Sequence, residues 1–356
     1  MISISVGKVV EILNREDDVT KILVELGGKK EKAINYNKIT GEINEGDKVL
    51  LNITAVKLGL GTGGYHFVMA NYSCQKKIYS GPGHLMKLRY TPCQLCTLSV
   101  EEEESPYREK IINFKDLRRM PILIGSLHSQ LPAAIAGILS VKDIKPVYIM
   151  TDGGALPISF SRVVSFLKRN GFLAGTITIG HSFGGDLEAV NIYTGLIAAK
   201  EVLNAKISIV LMGPGILGSG TQYGFTGIEQ GEIINSVAIL GGTPIAIPRI
   251  SFADSRNRHY GLSHHTITAL GKVALKQALL PVPKLEEEKA NILYSQLQEG
   301  GLADKHRIIE KDATKALQLA KKLNFPLSTM GREIDEDYEY FLAAAAAGIA
   351  AVELVH

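Results

Sequence analysis

The 356-residue sequence contains no tryptophan, only three cysteines and a small formal net charge of +3 at pH 7. Three cysteines are too few for a disulfide framework, and they fit a reducing cytosol. Proteins that bind nucleic acid usually carry a concentrated basic surface, which a charge of this size does not predict. The composition therefore indicates a cytoplasmic protein, and nucleic acid is not its expected partner.

Long hydrophobic runs are also lacking. No apolar run approaches the roughly 20 residues that a membrane-spanning helix requires, and the N-terminal residues show no signal-peptide pattern. The alanine-rich run LAAAAAGIAAVELV, which begins at Leu342, is too short to span a bilayer. It predicts a buried or subunit-facing helix. We therefore expect a cytoplasmic homo-oligomer that makes no contact with a membrane.

The first 72 residues predict a small β-barrel-like domain. Short β-rich runs separated by turn residues occur at Ile2–Ile12, Val19–Leu26, Lys48–Val56 and Tyr65–Ala70. Several short strands of this kind are typical of a small closed barrel. Residues 73–118 then form a connector with some strand character. Its single CQLC segment is too isolated to predict a zinc site or a redox site.

From Pro121 onward, apolar strands alternate with helices. Five continuous apolar runs alternate with helix-length segments; the runs are PILIGSL, PVYIMTD, AGTITIG, ISIVLMG and TPIAIPRIS. This alternation is typical of a parallel sheet that is covered by helices on both faces. We therefore predict a Rossmann-like α/β domain over residues 119–356, with a mainly parallel sheet and C-terminal helices. One predicted helix, GDLEAVNIYTGLIAAKEVL, begins near Asp186.

The loops that follow these strands concentrate polar residues and glycines. In an open parallel sheet, ligands bind beyond the carboxyl ends of the strands, where such loops converge. The catalytic candidates in these loops are Asp152, Ser182, Asp186, Asp254 and His264. The ligand-binding candidates are His128, Gly153, Gly154, Gly184, Gly185, Arg256, Arg258, His259 and His265. Because arginine offers paired donors to phosphate and carboxylate groups, the sequence predicts a site for a small anionic ligand.

The segment GHSFG around Ser182 has the G-x-S-x-G pattern of a serine-hydrolase nucleophile elbow. Asp254 and the later histidines preserve the chain order of serine, acid and histidine that such hydrolases use. Against this interpretation, the carboxylates of Asp186 and Glu188 follow closely and would repel a developing oxyanion. The competing interpretation is a glycine turn in which Ser182 is a cap or a ligand contact.

Cofactors are only partly constrained by the sequence. The aspartates and histidines are compatible with a divalent metal ion, but no strict ligand spacing such as H-E-x-x-H identifies one. The segment GPGILGSGTQYGFTG departs from both the dinucleotide-binding and the P-loop motifs, so no NAD or ATP site is predicted.

Three functions therefore stay open, and the sequence does not decide whether the protein is an enzyme. The first is a protein that binds or acts on a small anionic metabolite. The second is a serine hydrolase that uses Ser182. The third is a non-catalytic regulatory or scaffold protein that associates with itself through the alanine-rich terminal helix.

Five segments together resemble a known family. They are LGLGTGGYHFVMAN, GHLMKLRYTP, GGDLEAVN, RISFADSRNRHYGLSHHT and STMGR. In combination they resemble a bacterial family described as domain of unknown function 3866, over almost the whole chain. The resemblance implies a cytoplasmic bacterial protein with a β-rich N-terminal part and an α/β body. It implies no activity, and it assigns no catalytic residue.

Overall fold

A computed structural model of the chain describes residues 2–16, 18–74 and 81–355. These residues form two compact units. The first comprises residues 1–82 and 88–96, and the second comprises residues 83–87 and 97–356. Among the described residues, none of the helices combines the length and the apolar character that are needed to traverse a bilayer.

The first unit contains a closed five-stranded barrel with the strand order β1-β2-β3-β5-β4. Its elements are β1 (Ile4–Glu16), β2 (Val19–Leu26), β3 (Lys29–Tyr36), α1 (Asn37–Thr40), β4 (Lys48–Asn52), α2 (Thr54–Lys57) and β5 (Tyr65–Asn71). The β3–β5 pair is parallel and the other pairs that close the barrel are antiparallel, which is the connectivity of an OB-fold. The predicted β-barrel-like domain is confirmed. The sequence prediction missed β3 because its run KKEKAINY is largely charged.

The second unit contains an eight-stranded sheet in which every neighbouring pair is parallel. Before it in the chain come β6 (Leu85–Lys87), β7 (Leu95–Thr97) and α3 (Arg108–Ile112). The remaining elements are β8 (Pro121–Ile124), α4 (Leu131–Val141), β9 (Val147–Thr151), α5 (Arg162–Arg169), β10 (Gly175–Ile179), β11 (Leu187–Ala189), α6 (Ile192–Ile197), β12 (Ser208–Met212), α7 (Glu229–Ile239), β13 (Thr243–Ala246), β14 (Ile250–Ser251), β15 (Gly261–Leu262), α8 (His264–Thr268), β16 (Leu279–Pro283), α9 (Glu287–Glu299), α10 (Leu302–Lys305), β17 (Arg307–Lys311), α11 (Thr314–Lys322), β18 (Ser328–Thr329), β19 (Arg332–Glu333) and α12 (Tyr338–Glu353).

Helices cover both faces of this sheet, which explains why its strands are continuously apolar. Leu123 in β8 packs into a cluster with residues of α4, α11 and α12. Its neighbours Ile122 and Ile124 point to the opposite face and pack with residues of α7 and α9. The predicted α/β class with a parallel, helix-flanked sheet is therefore confirmed. The strand order, β11-β10-β9-β12-β8-β13-β16-β17, differs from that of the Rossmann dinucleotide-binding fold.

The prediction of a helix that begins near Asp186 is wrong. Leu187–Ala189 forms β11 beside β10, and α6 begins only at Ile192. The side chain of Asn191 accepts the backbone N–H groups of Tyr193 and Thr194, so the N-cap lies five residues beyond Asp186 in the chain. The sequence prediction also missed β16, because its two prolines argue against a central strand.

The alanine-rich run forms α12, which is buried within the chain. Its backbone contacts that of α4 directly: a Cβ atom on Gly137 would lie 2.1 Å from the Ala345 carbonyl oxygen. A Cβ atom on Gly348 would lie equally close to the Ala134 carbonyl oxygen, at 2.1 Å. Because the chain itself covers this helix, self-association, which stays a prediction, requires a different surface.

Candidate functional site

The order of the strands creates a switch point beside β12. After β9, the strands β10 and β11 extend the sheet to one edge. The chain then returns, so that β12 lies between β9 and β8, and β13 lies on the other side of β8. Loops at such a switch point leave the sheet in opposite directions, and ligands bind between them at the carboxyl ends of the strands. Two long loops extend from this region: residues 213–228 after β12 and residues 247–263 after β13.

Three histidines meet at the end of the loop that follows β13. One ring nitrogen from each of His259, His264 and His265 lies within 4.8 Å of the other two. His259 is 2% exposed and His265 is 6% exposed, whereas His264 is half-buried. The structure therefore brings together three of the four histidines that were selected from the sequence; His128 lies elsewhere.

The loop after β12 packs against these histidines. The ring of Phe225 stacks on that of His265, with centroids 3.9 Å apart and an interplanar angle of 6°. A Cβ atom on Gly218 would lie 3.5 Å from Cε1 of His265, so this loop also approaches the imidazole through its backbone. The glycine-rich segment GPGILGSGTQYGFTG thus covers the histidine cluster.

Burial keeps the clustered imidazoles uncharged. It lowers the pKa of His259 to about 3, with the charge of Arg249 adding to the shift. It lowers the pKa of His265 to about 3 as well, and the pKa of His264 shifts in the same direction for the same reason. At neutral pH each ring therefore has one nitrogen with a lone pair that can bind a proton or a metal ion.

One carboxylate holds two arginines beside the histidines. Asp254, which is 4% exposed, accepts hydrogen bonds from Nε and Nη2 of Arg256 at 2.8 and 2.7 Å, and from Nη2 of Arg249 at 3.1 Å. The hydrogen bonds from Arg256 lower the pKa of Asp254 well below its usual range. This carboxylate therefore stays ionised and positions the arginines, a different role from the acid or base expected of it.

Arg258 lies in the same loop and is exposed. Its guanidinium group approaches the loop after β12, because a Cβ atom on Gly220 would lie 3.8 Å from Nη2 of Arg258. Over the described ranges it forms no hydrogen bond or ion pair with the protein. This loop therefore carries three positively charged guanidinium groups and one negatively charged carboxylate, next to three uncharged imidazoles.

Ser182 has a hydrogen-bond partner other than a histidine. It is 1% exposed, and its hydroxyl group donates to the carbonyl oxygen of Thr151 at 2.9 Å. Gly180 has a φ of +59°, and a Cβ atom there would lie 2.2 Å from the Asp152 carboxylate. Glycine is thus required for the chain to pass Asp152, a geometry that favours the glycine-turn interpretation of GHSFG.

Asp152 lies near a carboxyl group that the sequence analysis did not select. Asp152 accepts the backbone N–H of His181 at 3.1 Å. Glu229, at the start of α7, accepts a hydrogen bond from the Thr151 hydroxyl group at 2.5 Å. Burial raises the pKa of Glu229 to about 7, and the charge of Asp152 adds to the shift. Acidic residues in the first turn of a helix are ordinary in sequence, which is why Glu229 was missed.

Asp186 does not join the other candidates at the carboxyl edge. Its carboxylate accepts the backbone N–H of Thr176, at the amino end of β10, and the ammonium group of Lys168. Because β11 runs parallel to β10, the residue before β11 lies toward the amino end of that strand. The Gly184 N–H donates to Glu188, and the Gly185 N–H donates to Thr178.

Two further candidates, Gly153 and Gly154, follow β9 and lie against the start of the loop after β12. A Cβ atom on Gly153 would lie 3.0 Å from Cε of Met212. A Cβ atom on Gly154 would lie 3.3 Å from the carbonyl oxygen of Pro214. These glycines thus let the loops after β9 and β12 pack closely together.

His128 forms a second cluster with residues that sequence reasoning missed. Its Nε2 atom lies 2.6 Å from Oγ of Ser161, and its Nδ1 atom lies 3.1 Å from the hydroxyl group of Tyr148. His128 and Ser161 line a cavity of about 310 Å³ together with Pro214 and Ile216. Ser161 is also the N-cap of α5, which is how a serine at that position would ordinarily be interpreted.

A family model described as "Protein of unknown function (DUF3866)" matches residues 32–348, which is most of the chain. The chain belongs to the DUF3866 family. This confirms the resemblance inferred from its sequence segments. Neither a curated protein nor a solved structure matches the chain. The comparisons therefore assign no function to this DUF3866 chain.

The raised pKa of Glu229 predicts a pH-dependent contribution to the stability of this DUF3866 protein. The folded state favours the protonated carboxyl group, so the contribution is present below the ordinary pKa of about 4.5 and is lost as the pH rises through about 7. Relative to Glu229→Gln, the wild type should lose roughly 1–3 kcal/mol of unfolding free energy between pH 4.5 and pH 8.

Urea unfolding of both proteins across this pH range measures the difference. Glu288→Gln is the control, since Glu288 is an exposed carboxylate on α9, and it should leave the pH dependence unchanged. Parallel pH profiles for the wild type and Glu229→Gln would show that Glu229 titrates normally.

Proposed function

We propose that this protein binds and acts on a small anionic metabolite at the carboxyl edge of its parallel sheet, between the loops after β12 and β13. One observation carries the proposal: residues 249–265, which follow the switch point of the sheet, contain three arginines, three clustered uncharged imidazoles and a single carboxylate. Such an excess of positive charge attracts an anion.

The arginines differ in how they can contribute. Arg249 and Arg256 are fixed by Asp254, so their positive charges are held in place before a ligand arrives. Arg258 is exposed and unpaired within the ranges that the structure covers, so its guanidinium group is available to a ligand. Guanidinium groups recognise phosphate and carboxylate through two parallel hydrogen bonds. We therefore assign the direct contact with the anion to Arg258.

The histidines supply the chemistry in this proposal. An uncharged imidazole has a lone pair that can accept a proton or bind a metal ion. His264 is the ring with the best access to a ligand, because it is the most exposed of the three. The family match supports neither an activity nor a substrate, so the proposal rests on this geometry.

Replacement of Arg258 tests the proposal. The wild-type protein should gain thermal stability with at least one anion from a panel of inorganic phosphate, phosphate monoesters and dicarboxylates. A ligand at about one hundred times its dissociation constant adds roughly 2.7 kcal/mol to the unfolding free energy. Arg258→Gln should weaken the affinity at least about tenfold, which corresponds to a loss of about 1.4 kcal/mol.

Arg307→Gln serves as the control, because it removes an exposed arginine on β17. It should bind the same anion with unchanged affinity. The proposal is contradicted if no anion in the panel shifts the melting temperature, or if Arg258→Gln responds like the wild type.

Acyl transfer by a serine is a second candidate function, and the structure favours Ser161 for it over Ser182. The Tyr148 hydroxyl group donates to the carbonyl oxygens of Leu211 and Met212, so it accepts a hydrogen bond from the Nδ1–H group of His128. Nε2 of His128 then carries the lone pair and accepts a hydrogen bond from the Ser161 hydroxyl group at 2.6 Å. This is the arrangement of a nucleophile with an oriented base. No observation favours the third function, the non-catalytic scaffold.

A fluorophosphonate probe separates the two serines. Burial lowers the pKa of His128 to about 4, so we expect this base to be weak and labelling to be slow. Labelling that is lost in Ser161→Ala and retained in Ser182→Ala would support the Ser161 nucleophile. Loss in Ser182→Ala alone would support the GHSFG elbow, and an unlabelled wild type would reject both serines.

A further inference from the structure

We propose that His259, His264 and His265 bind one divalent transition-metal ion and leave a coordination position open for the anionic ligand. The proposal deepens the proposed function, and it rests on that function only where it assigns the anion to the open position. The metal-binding part stands on the arrangement of the three rings.

Two ring nitrogens of the cluster are buried without a hydrogen-bond partner among the described residues. Nε2 of His264 and Nδ1 of His265 are both inaccessible to solvent, and neither has a hydrogen-bond partner in the part of the chain that the structure describes. A buried polar atom that lacks a partner carries a free-energy cost. A metal ion that both nitrogens ligate would remove this cost at both positions together.

Two of the three rings are held in place by contacts with residues outside the cluster. Nδ1 of His259 lies 2.7 Å from Oγ of Ser263, which leaves Nε2 of this ring as its ligand atom. Histidines that ligate metals almost always use their other ring nitrogen in a hydrogen bond of this kind. The ring of His265 is held by its stacking on Phe225. Two of the three ligands are therefore oriented before a metal ion binds.

The number and the chemical type of the ligands suit a transition-metal ion. Imidazole nitrogens suit Zn²⁺, Ni²⁺, Cu²⁺ and iron, and three histidines with an open fourth position form a common catalytic zinc site. With zinc–nitrogen bonds of about 2.0–2.1 Å, tetrahedral ligands lie about 3.4 Å apart. One nitrogen of each ring lies within 4.8 Å of the other two, so the rings must move closer together around an ion. The half-buried ring of His264 is the one with room to move.

The charges around the cluster connect the metal ion with the anion. A divalent cation is repelled by Arg249, Arg256 and Arg258, and Asp254 offsets only part of this repulsion. An anion in the open position would offset the rest. We therefore expect the metal ion and the anion to bind cooperatively, and each must raise the affinity of the other by the same factor. When bound, such an ion would polarise an oxygen atom of the ligand or activate a water molecule.

Titration of chelator-treated, full-length protein with Co²⁺ tests the metal site. We expect one Co²⁺ per chain, with the visible absorption of cobalt in a low-coordinate nitrogen site. His264→Gln and His265→Gln should each weaken binding by about 10- to 100-fold. His181→Gln, which replaces a histidine in a different loop, should bind Co²⁺ like the wild type. Far-UV circular dichroism shows whether each variant is folded, and His264→Asn is the second variant if His264→Gln does not fold.

Repeating the Co²⁺ titration with saturating inorganic phosphate separates the two proposals. Tighter Co²⁺ binding in phosphate, lost in Arg258→Gln, supports both of them. If the wild type takes up no Co²⁺ while anions still raise the melting temperature, the metal proposal is wrong and the proposed function stands. If Co²⁺ binds through the histidines but no anion binds, the proposed function fails. Co²⁺ binding that survives both His264→Gln and His265→Gln places the ion elsewhere and overturns the metal site.

Discussion

A single buried carboxylate, that of Asp254, holds together the loop on which the candidate site is built. It accepts hydrogen bonds from Arg249 and Arg256, and Arg249 is itself only 3% exposed. A buried guanidinium group that loses its partner is strongly destabilising, by about 3–5 kcal/mol in measured cases. This pairing therefore constrains the path of residues 249–259, which carries Arg258 and His259, together with the β14–β15 pairing and the hydrogen bond from Ser251 to Asp337.

The topology of the sheet supplies the second constraint. Because β12 returns to lie beside β8 and β13 follows on the other side of β8, the loops after β12 and β13 start from neighbouring regions of the carboxyl edge. Phe225 and Gly218 from the first loop pack against His265, which follows the second. Neither loop forms the cluster alone. The chemistry proposed for the histidines and arginines therefore depends on a contact between segments that are about forty residues apart.

The sequence predicted the strands that are marked by their pattern of hydrophobic residues. Continuous apolar runs indicated five of the eight parallel strands, but β16 was hidden by Pro281 and Pro283, and the short edge strand β11 was mistaken for a helix start. His259, His264 and His265 could be selected together because they are close in the chain, and their rings are also close in space. Their ring-to-ring arrangement, however, depends on Ser263 and Phe225, which carry no such signal.

Other parts of the site depend on which loops meet, and hydrophobic periodicity does not encode this. Asp186 looked equivalent to Asp152 in sequence, yet β11 places it toward the amino end of β10. Ser182 lies in a hydrolase-like motif but donates to a backbone carbonyl, whereas Ser161, with no motif around it, meets a histidine. Local patterns thus selected candidate loops, but only the folded chain defines the partner of each side chain.

Hydrogen–deuterium exchange of Asp254→Asn against the wild type tests most directly whether one carboxylate organises the site. Amides across residues 249–265 should lose protection in the variant, because Arg249 is left buried without its anionic partner, while amides of β8 and β12 should exchange at unchanged rates. Unchanged protection across residues 249–265 in a folded Asp254→Asn protein would show that the loop is held without this ion pair.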